Sequence, residues 1–262
     1  MDFFDSIDWL NRPGPYAFLW DHWMLIILPL ALGLFLALFL RGKDKKLIRN
    51  WLISLWIFAV VISTFYYAVR YIECIVDPVK YVFELDEFLP FHSCSMFLYV
   101  FPVAMFAKNK IIKTMASNFL VIINMIIGFI TLFVGCPTGG CSSLSFGGLH
   151  GLISHNLIVI VPFIMVFTGY YDIKKEDLKW GLAGFGILSI TMYIFDAITG
   201  CDYFFFYDGH TFPVFSFISE NVPHIVWTLI VLTCYTLTGV IIHFLIIGIK
   251  SLVQKRQKEK QA

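Results

Sequence analysis

Long apolar runs alternate with short polar ones from end to end of the chain. Stretches of about eighteen or more mostly apolar residues recur at 23–40, 51–69, 88–106, 115–134, 151–170, 180–200 and 224–249. Runs of that length match the hydrocarbon thickness of a bilayer at the helical rise. The pattern predicts an all-α fold, a polytopic membrane helix bundle with seven transmembrane helices. It predicts one transmembrane domain over 1–262, with an outer interfacial tail at 1–22, the bundle at 23–249 and a basic cytoplasmic tail at 250–262. In the first tail Phe3, Phe4, Ile7 and Leu10 recur at helical spacing opposite Asp2, Asp5 and Asp8. That run reads as a short interfacial helix or as a frayed acidic tail.

The basic residues sort the spans by side. "RGKDKKLIRN", "AKNKIIKT", "YDIKKEDLK" and "KSLVQKRQKEKQA" hold 5, 3, 3 and 5 Lys or Arg, and the alternate segments hold 1, 2, 0 and 0. The positive-inside rule then puts the N-terminus outside and the C-terminus in the cytoplasm. Composition agrees, because 59% of residues are hydrophobic and only 14% charged, against about half and about a quarter in soluble domains. A net charge of +1 leaves no basic face for nucleic acid. The acidic opening, "MDFFDSIDWL", is no cleavable signal peptide. The expected location is a bacterial plasma membrane, crossed several times.

Four of the six cysteines, Cys74, Cys136, Cys141 and Cys201, fall in the predicted outer segments. They are candidates for two disulfides, with the pairing open. A metal site is the weaker alternative, since no histidine pattern completes the Cys136–Cys141 spacing, and none is assigned. The loop "GCPTGGCSSLSFGGLHG" lacks the lysine of a phosphate-binding loop. It reads as a lid at the lipid surface or as a plain linker.

Topology brings three reactive groups to one depth. Cys94 lies about 9 Å below the outer end of the third span, His155 about 6 Å down the fifth and Asp196 about 6 Å short of the end of the sixth, at ~1.5 Å per residue. An ionised carboxylate within a membrane normally faces a partner or water. A thiol becomes a strong nucleophile when a base takes its proton, and a third polar group orients that base. Cys94, His155 and Asp196 fit those roles. Taken singly, each has a plainer reading, as filler, a packed histidine or a paired acid. Their shared depth is what favours a site. His92 and Cys94 face different ways on a regular helix, so His92 and Ser95 suit cross-helix hydrogen bonding. Ser93, Ser95 and Asn156 are the candidate oxyanion donors. Asn124 reads as helix–helix glue and His243 as structural.

"LPFHSC" (89–94), "SHNLIVIVP" (154–162) and "TGCDYFFF" (199–206) resemble the YwaF-like bacterial integral membrane family, which is related to the transmembrane protein 164 family. The likeness covers roughly 88–238. It implies a membrane acyltransferase with a cysteine active centre that moves an acyl chain from phospholipid to lysophospholipid without coenzyme A. The nucleophile then maps onto Cys94 and its partner onto His155. The family pattern has Asn where this chain has Asp196, and either side chain accepts an imidazole N–H. The implied partners are membrane phospholipids and lysophospholipids, with no cofactor. Two rivals stand beside an acyltransferase or lipase. One is a secondary transporter or ion relay through His155 and Asp196. The other is a non-catalytic assembly or sensor protein.

Overall fold

The computed structural model describes residues 20–79, 85–134, 146–207 and 213–259. Residues 1–19 of the expected interfacial tail, Cys136, Cys141 and most of the glycine-rich loop lie outside them. Every regular element among the described residues is helical.

Helix α1 (Trp20–Leu40) turns at Gly42, whose φ of 76° suits glycine, into α2 (Lys45–Val76). The Asp44 carboxylate caps α2 by accepting from Leu47 N at 2.9 Å. Next come α3 (Leu85–Phe88) and α4 (Phe97–Phe106). Asn109 then caps α5 (Lys110–Phe119), accepting from Ile111 N at 2.8 Å and Ile112 N at 3.2 Å. A single π turn (Leu120–Asn124) joins α5 to α6 (Met125–Val134), so all three form one continuous rod. Helices α7 (Phe146–Phe167), α8 (Asp177–Thr199), α9 (Pro213–Asn221) and α10 (His224–Glu259) complete the bundle.

Among the described residues six helices are long and apolar enough to cross a membrane, and the chain is a multi-pass membrane protein. The expected third span, 88–106, is not among them. Only its second part is the helix α4, ten residues long, about 15 Å at the helical rise against a hydrocarbon core of about 30 Å. Pro90 and the polar run His92–Ser95 occupy the part that leaves the helix. Non-helical backbone is tolerated at membrane depth where protein buries it, and Ser93 is 1% exposed.

The rod of α5, π turn and α6 and the helix α7 form the centre. Helix α7 packs on α1, α2, α6 and the π turn, while α5 packs on α4 and α8. Contact is close enough to need glycine. A Cβ at Gly128 would stand 2.4 Å from Ile158 Cγ1 on α7, and one at Gly33 of α1 would stand 2.6 Å from Ile160 Cγ1. Small residues let apolar helices approach where lipid supplies no hydrophobic drive between them. Helices α1, α2 and α10 turn most of their surface outward, with Phe35, Val61, Ile75 and Ile241 exposed.

Candidate functional site around Cys94

Cys94 stands in the turn between α3 and α4, and two side chains and a backbone carbonyl from three other parts of the fold hold that turn. From the π turn, Asn124 Nδ2 donates to the carbonyl oxygens of Ser93 at 3.1 Å and Cys94 at 3.2 Å. From the segment after α8, the carbonyl of Tyr203 accepts the Ser93 N–H at 3.2 Å. From α10, the Tyr235 hydroxyl donates to Ser93 Oγ at 3.4 Å. The turn closes on itself through Met96 N to His92 O at 3.1 Å, and α4 begins just beyond. Its carbonyls, which no helix satisfies, find donors in side chains instead.

Asp196 reaches this turn through backbone. Its Oδ2 accepts the Tyr203 N–H at 3.2 Å, and Tyr203 O accepts from Ser93. Gly200, at φ 75°, ends α8 and reverses the chain so that Tyr203 returns over the carboxylate. The 201–207 segment is pinned further by Trp227 Nε1 to Phe205 O at 2.9 Å, Thr228 Oγ1 to Phe206 O at 3.0 Å and Tyr203 OH to Leu85 O at 2.8 Å. Phe205 is held there at φ 59°, a conformation a bulky side chain rarely adopts.

Cys94, His155 and Asp196 are not joined to one another by hydrogen bonds. The nearest hydrogen-bonding neighbour of Cys94 Sγ is the Ser95 hydroxyl, at 4.0 Å. His155 Nδ1 meets Gly151 O, one turn back on its own helix, at 2.6 Å. A carbonyl there fixes the tautomer with the proton on Nδ1 and leaves Nε2 as the basic nitrogen. The orienting acceptor of His155 in this structure is therefore Gly151, while Asp196 gives Oδ2 to the Tyr203 backbone and keeps Oδ1 buried without a hydrogen-bond partner.

The remaining candidates separate too. Ser93 is part of the turn's support, and Ser95 lies against the Tyr67 phenol of α2, itself within electrostatic range of Cys94. His92 packs edge-on to the Tyr203 ring at 5.2 Å. Asn156 ties α7 to α1, its amide donating to Leu25 O at 3.1 Å and to Leu152 O at 2.8 Å. That places its amide donors away from the thiol. Of the disulfide candidates, Cys201 is a buried free thiol, so no bridge uses it, and Cys74 sits near the end of α2. Among the described residues no group of His, Cys, Asp and Glu could hold a metal ion.

Two residues of this region were hidden in the sequence. Asn124 reads as mid-span glue, because nothing in "LVIINMIIG" announces the π turn that aims it at Cys94. His150 falls in the expected loop, but α7 starts at Phe146 and carries His150 on the helix. Its ring lies 4.1 Å above Tyr66 at 4°, and Nε2 is 3.3 Å from Ser63 Oγ.

No curated protein and no solved structure matches the chain. A family does: the sequence pattern of the TMEM164 family matches residues 17–249, from ahead of α1 into α10 and across every site residue above, and the chain belongs to that family.

Proposed function

We propose that the protein is a membrane-embedded acyltransferase or lipase that works on phospholipids near the outer leaflet, with Cys94 as nucleophile and no coenzyme A. The observation that carries this reading is the Cys94 turn, a break in an apolar segment held open by Asn124, Tyr203 and Tyr235. Such a break sets a half-buried thiol at the end of a short helix, and three other parts of the fold maintain it. Family membership is compatible with an enzyme of this kind.

In the proposed cycle, Cys94 Sγ gives up its proton and attacks the carbonyl carbon of a lipid ester. The ester C–O bond breaks, and the departing lysolipid oxygen takes a proton. An acyl thioester remains on Cys94 and passes its acyl chain to a second lysolipid hydroxyl or to water. His155 Nε2 is the proposed base. Catalytic hydrogen bonds often tighten only when substrate is bound, so its engagement with Cys94 belongs to the loaded state.

The test is purified protein incubated with lysophospholipid and a donor labelled in its acyl chain. Wild type transfers label, and Cys94→Ala abolishes both transfer and labelling by a lipid-like thiol-reactive probe. Equal probe labelling of the two proteins rejects the nucleophile. The rival ion relay predicts proton flux in vesicles that survives Cys94→Ala and disappears in Asp196→Leu.

A further inference from the structure

We infer that Ser63 and His150 form a second nucleophile–base pair, able to take an acyl chain from a lipid ester independently of Cys94. The hydroxyl of a serine or threonine inside an apolar helix usually returns to a carbonyl one turn back. Thr131, Thr191, Thr199 and Thr233 all do so, at 2.6–2.9 Å. Ser63 does not. Its hydrogen bond crosses from α2 to α7 and ends on His150 Nε2 at 3.3 Å, with Ser63 buried. A serine oxygen within reach of an imidazole nitrogen on another helix is the arrangement that nucleophilic catalysis requires.

The surroundings hold the imidazole in place. The His150 ring stacks on Tyr66 with centroids 4.1 Å apart and planes 4° apart, and Tyr67 meets it edge-on at 6.1 Å. An aromatic face offsets part of what burial costs a cation above it, here the imidazolium formed when Ser63 gives up its proton. Stacking also fixes the ring plane, the task an acid performs in a triad. The pair lies on the seam between α2 and α7, beside Phe65 of α2, which meets Phe146 of α7 edge-on at 5.3 Å and is exposed on the apolar surface. Tyr67 connects this seam to Ser95 and the neighbourhood of Cys94. An acyl ester in the bilayer is the substrate class such a seam admits.

In the tautomer with the proton on Nδ1, Ser63 Oγ passes its proton to His150 Nε2 while attacking the ester carbonyl carbon. The bond to the departing alcohol breaks, and that oxygen takes the proton back from Nε2. The acyl chain is left as an ester on Ser63. A hydroxyl from water or a lysolipid then repeats the steps in reverse and restores the serine.

An alkyl fluorophosphonate probe, with the adduct mapped by peptide mass spectrometry on the full chain in detergent, tests the pair. The adduct is expected on Ser63 in wild type and equally in Cys94→Ala, absent in Ser63→Ala, and formed about a hundredfold more slowly in His150→Ala, the scale of a lost general base. No wild-type adduct, or an adduct mapped to another residue, overturns the inference, and that mapping decides even where a variant fails to fold. The Cys94 reading is scored separately by the thiol-reactive probe, so the two can fail independently.

Discussion

The two ends of the bundle both bury polar side chains, and they use them differently. At the Cys94 end, Asn124 is fully buried and its amide nitrogen holds two carbonyls of a turn. At the other end, Asn118 on α5 and His243 on α10 are just as buried, yet neither the amide atoms nor the ring nitrogens make a hydrogen bond of good geometry, although Asn118 lies beside the Tyr171 phenol and His243 beside the backbone of Lys174 and Lys175. Around them Tyr171 OH donates to Asp177 Oδ2 at 3.1 Å, and Lys174 N donates to the same oxygen at 2.9 Å. That pairing stays within the connection into α8. The lesson is that burial alone does not mark a reactive centre. What distinguishes the Cys94 end is that polar side chains hold backbone out of a helix and so decide where a sulfur stands.

Histidines give the comparison its widest expected separation. His155→Ala is expected to lower acyl transfer by about a hundredfold or more, the contribution of a general base. His243→Leu is expected to leave the rate unchanged and the thermal midpoint equal or higher, because it replaces a buried imidazole without a hydrogen bond of good geometry by apolar atoms. A rate loss in His243→Leu matching that of His155→Ala would erase the distinction.

The asparagines come next. Asn124→Leu strips two buried carbonyls of a donor, which costs about 1–3 kcal/mol and lets the Cys94 turn relax, so both stability and transfer fall. Asn118→Leu loses no hydrogen bond of good geometry and is expected to be neutral or stabilising by the same reasoning. Thermal unfolding and transfer rate measured on the pair separate the two ends directly.

Asp196 sharpens the picture at smaller amplitude. Asp196→Leu leaves the Tyr203 N–H without an acceptor and is expected to cost about 1–3 kcal/mol. Asp196→Asn keeps an oxygen at that position and is expected to retain most of the activity. A steep loss in Asp196→Asn would show that charge, and not hydrogen-bond acceptance, is what the site needs. The mildest contrast is in packing. Gly128→Ala meets Ile158 at 2.4 Å, an overpacking cost of about 1–3 kcal/mol. Gly186→Ala on α8 meets nothing within 4 Å and is expected to stabilise by at most about 1 kcal/mol.

Much of this was legible along the chain, since apolar runs matched to bilayer thickness locate helices without any tertiary information. Helix α1, the rod of α5, π turn and α6, and the helices α7, α8 and α10 overlap the expected spans closely. The expected 51–69 span is the middle of the longer α2. The 88–106 span misled because hydropathy averages over a window. Thirteen apolar neighbours outvote Pro90 and a short polar run, although those few residues decide whether backbone hydrogen bonds close. The shared depth of Cys94, His155 and Asp196 is an expectation from counting spans, and depth fixes only one coordinate. Rotation about each helix axis is set by packing, and it sent His155 to Gly151 and Asp196 to Tyr203.

The amino-acid sequence by itself determined that the chain is a set of membrane helices and roughly where most of them run, because transfer into hydrocarbon is a local, additive property of short segments. Only the tertiary structure decided that the third apolar run breaks at Cys94, that a π turn aims Asn124 at the break, and that Ser63 meets His150. Those outcomes depend on hydrogen bonds between residues 31 and 87 positions apart, and in an apolar medium each such group adopts whichever partner the packed helices bring within reach.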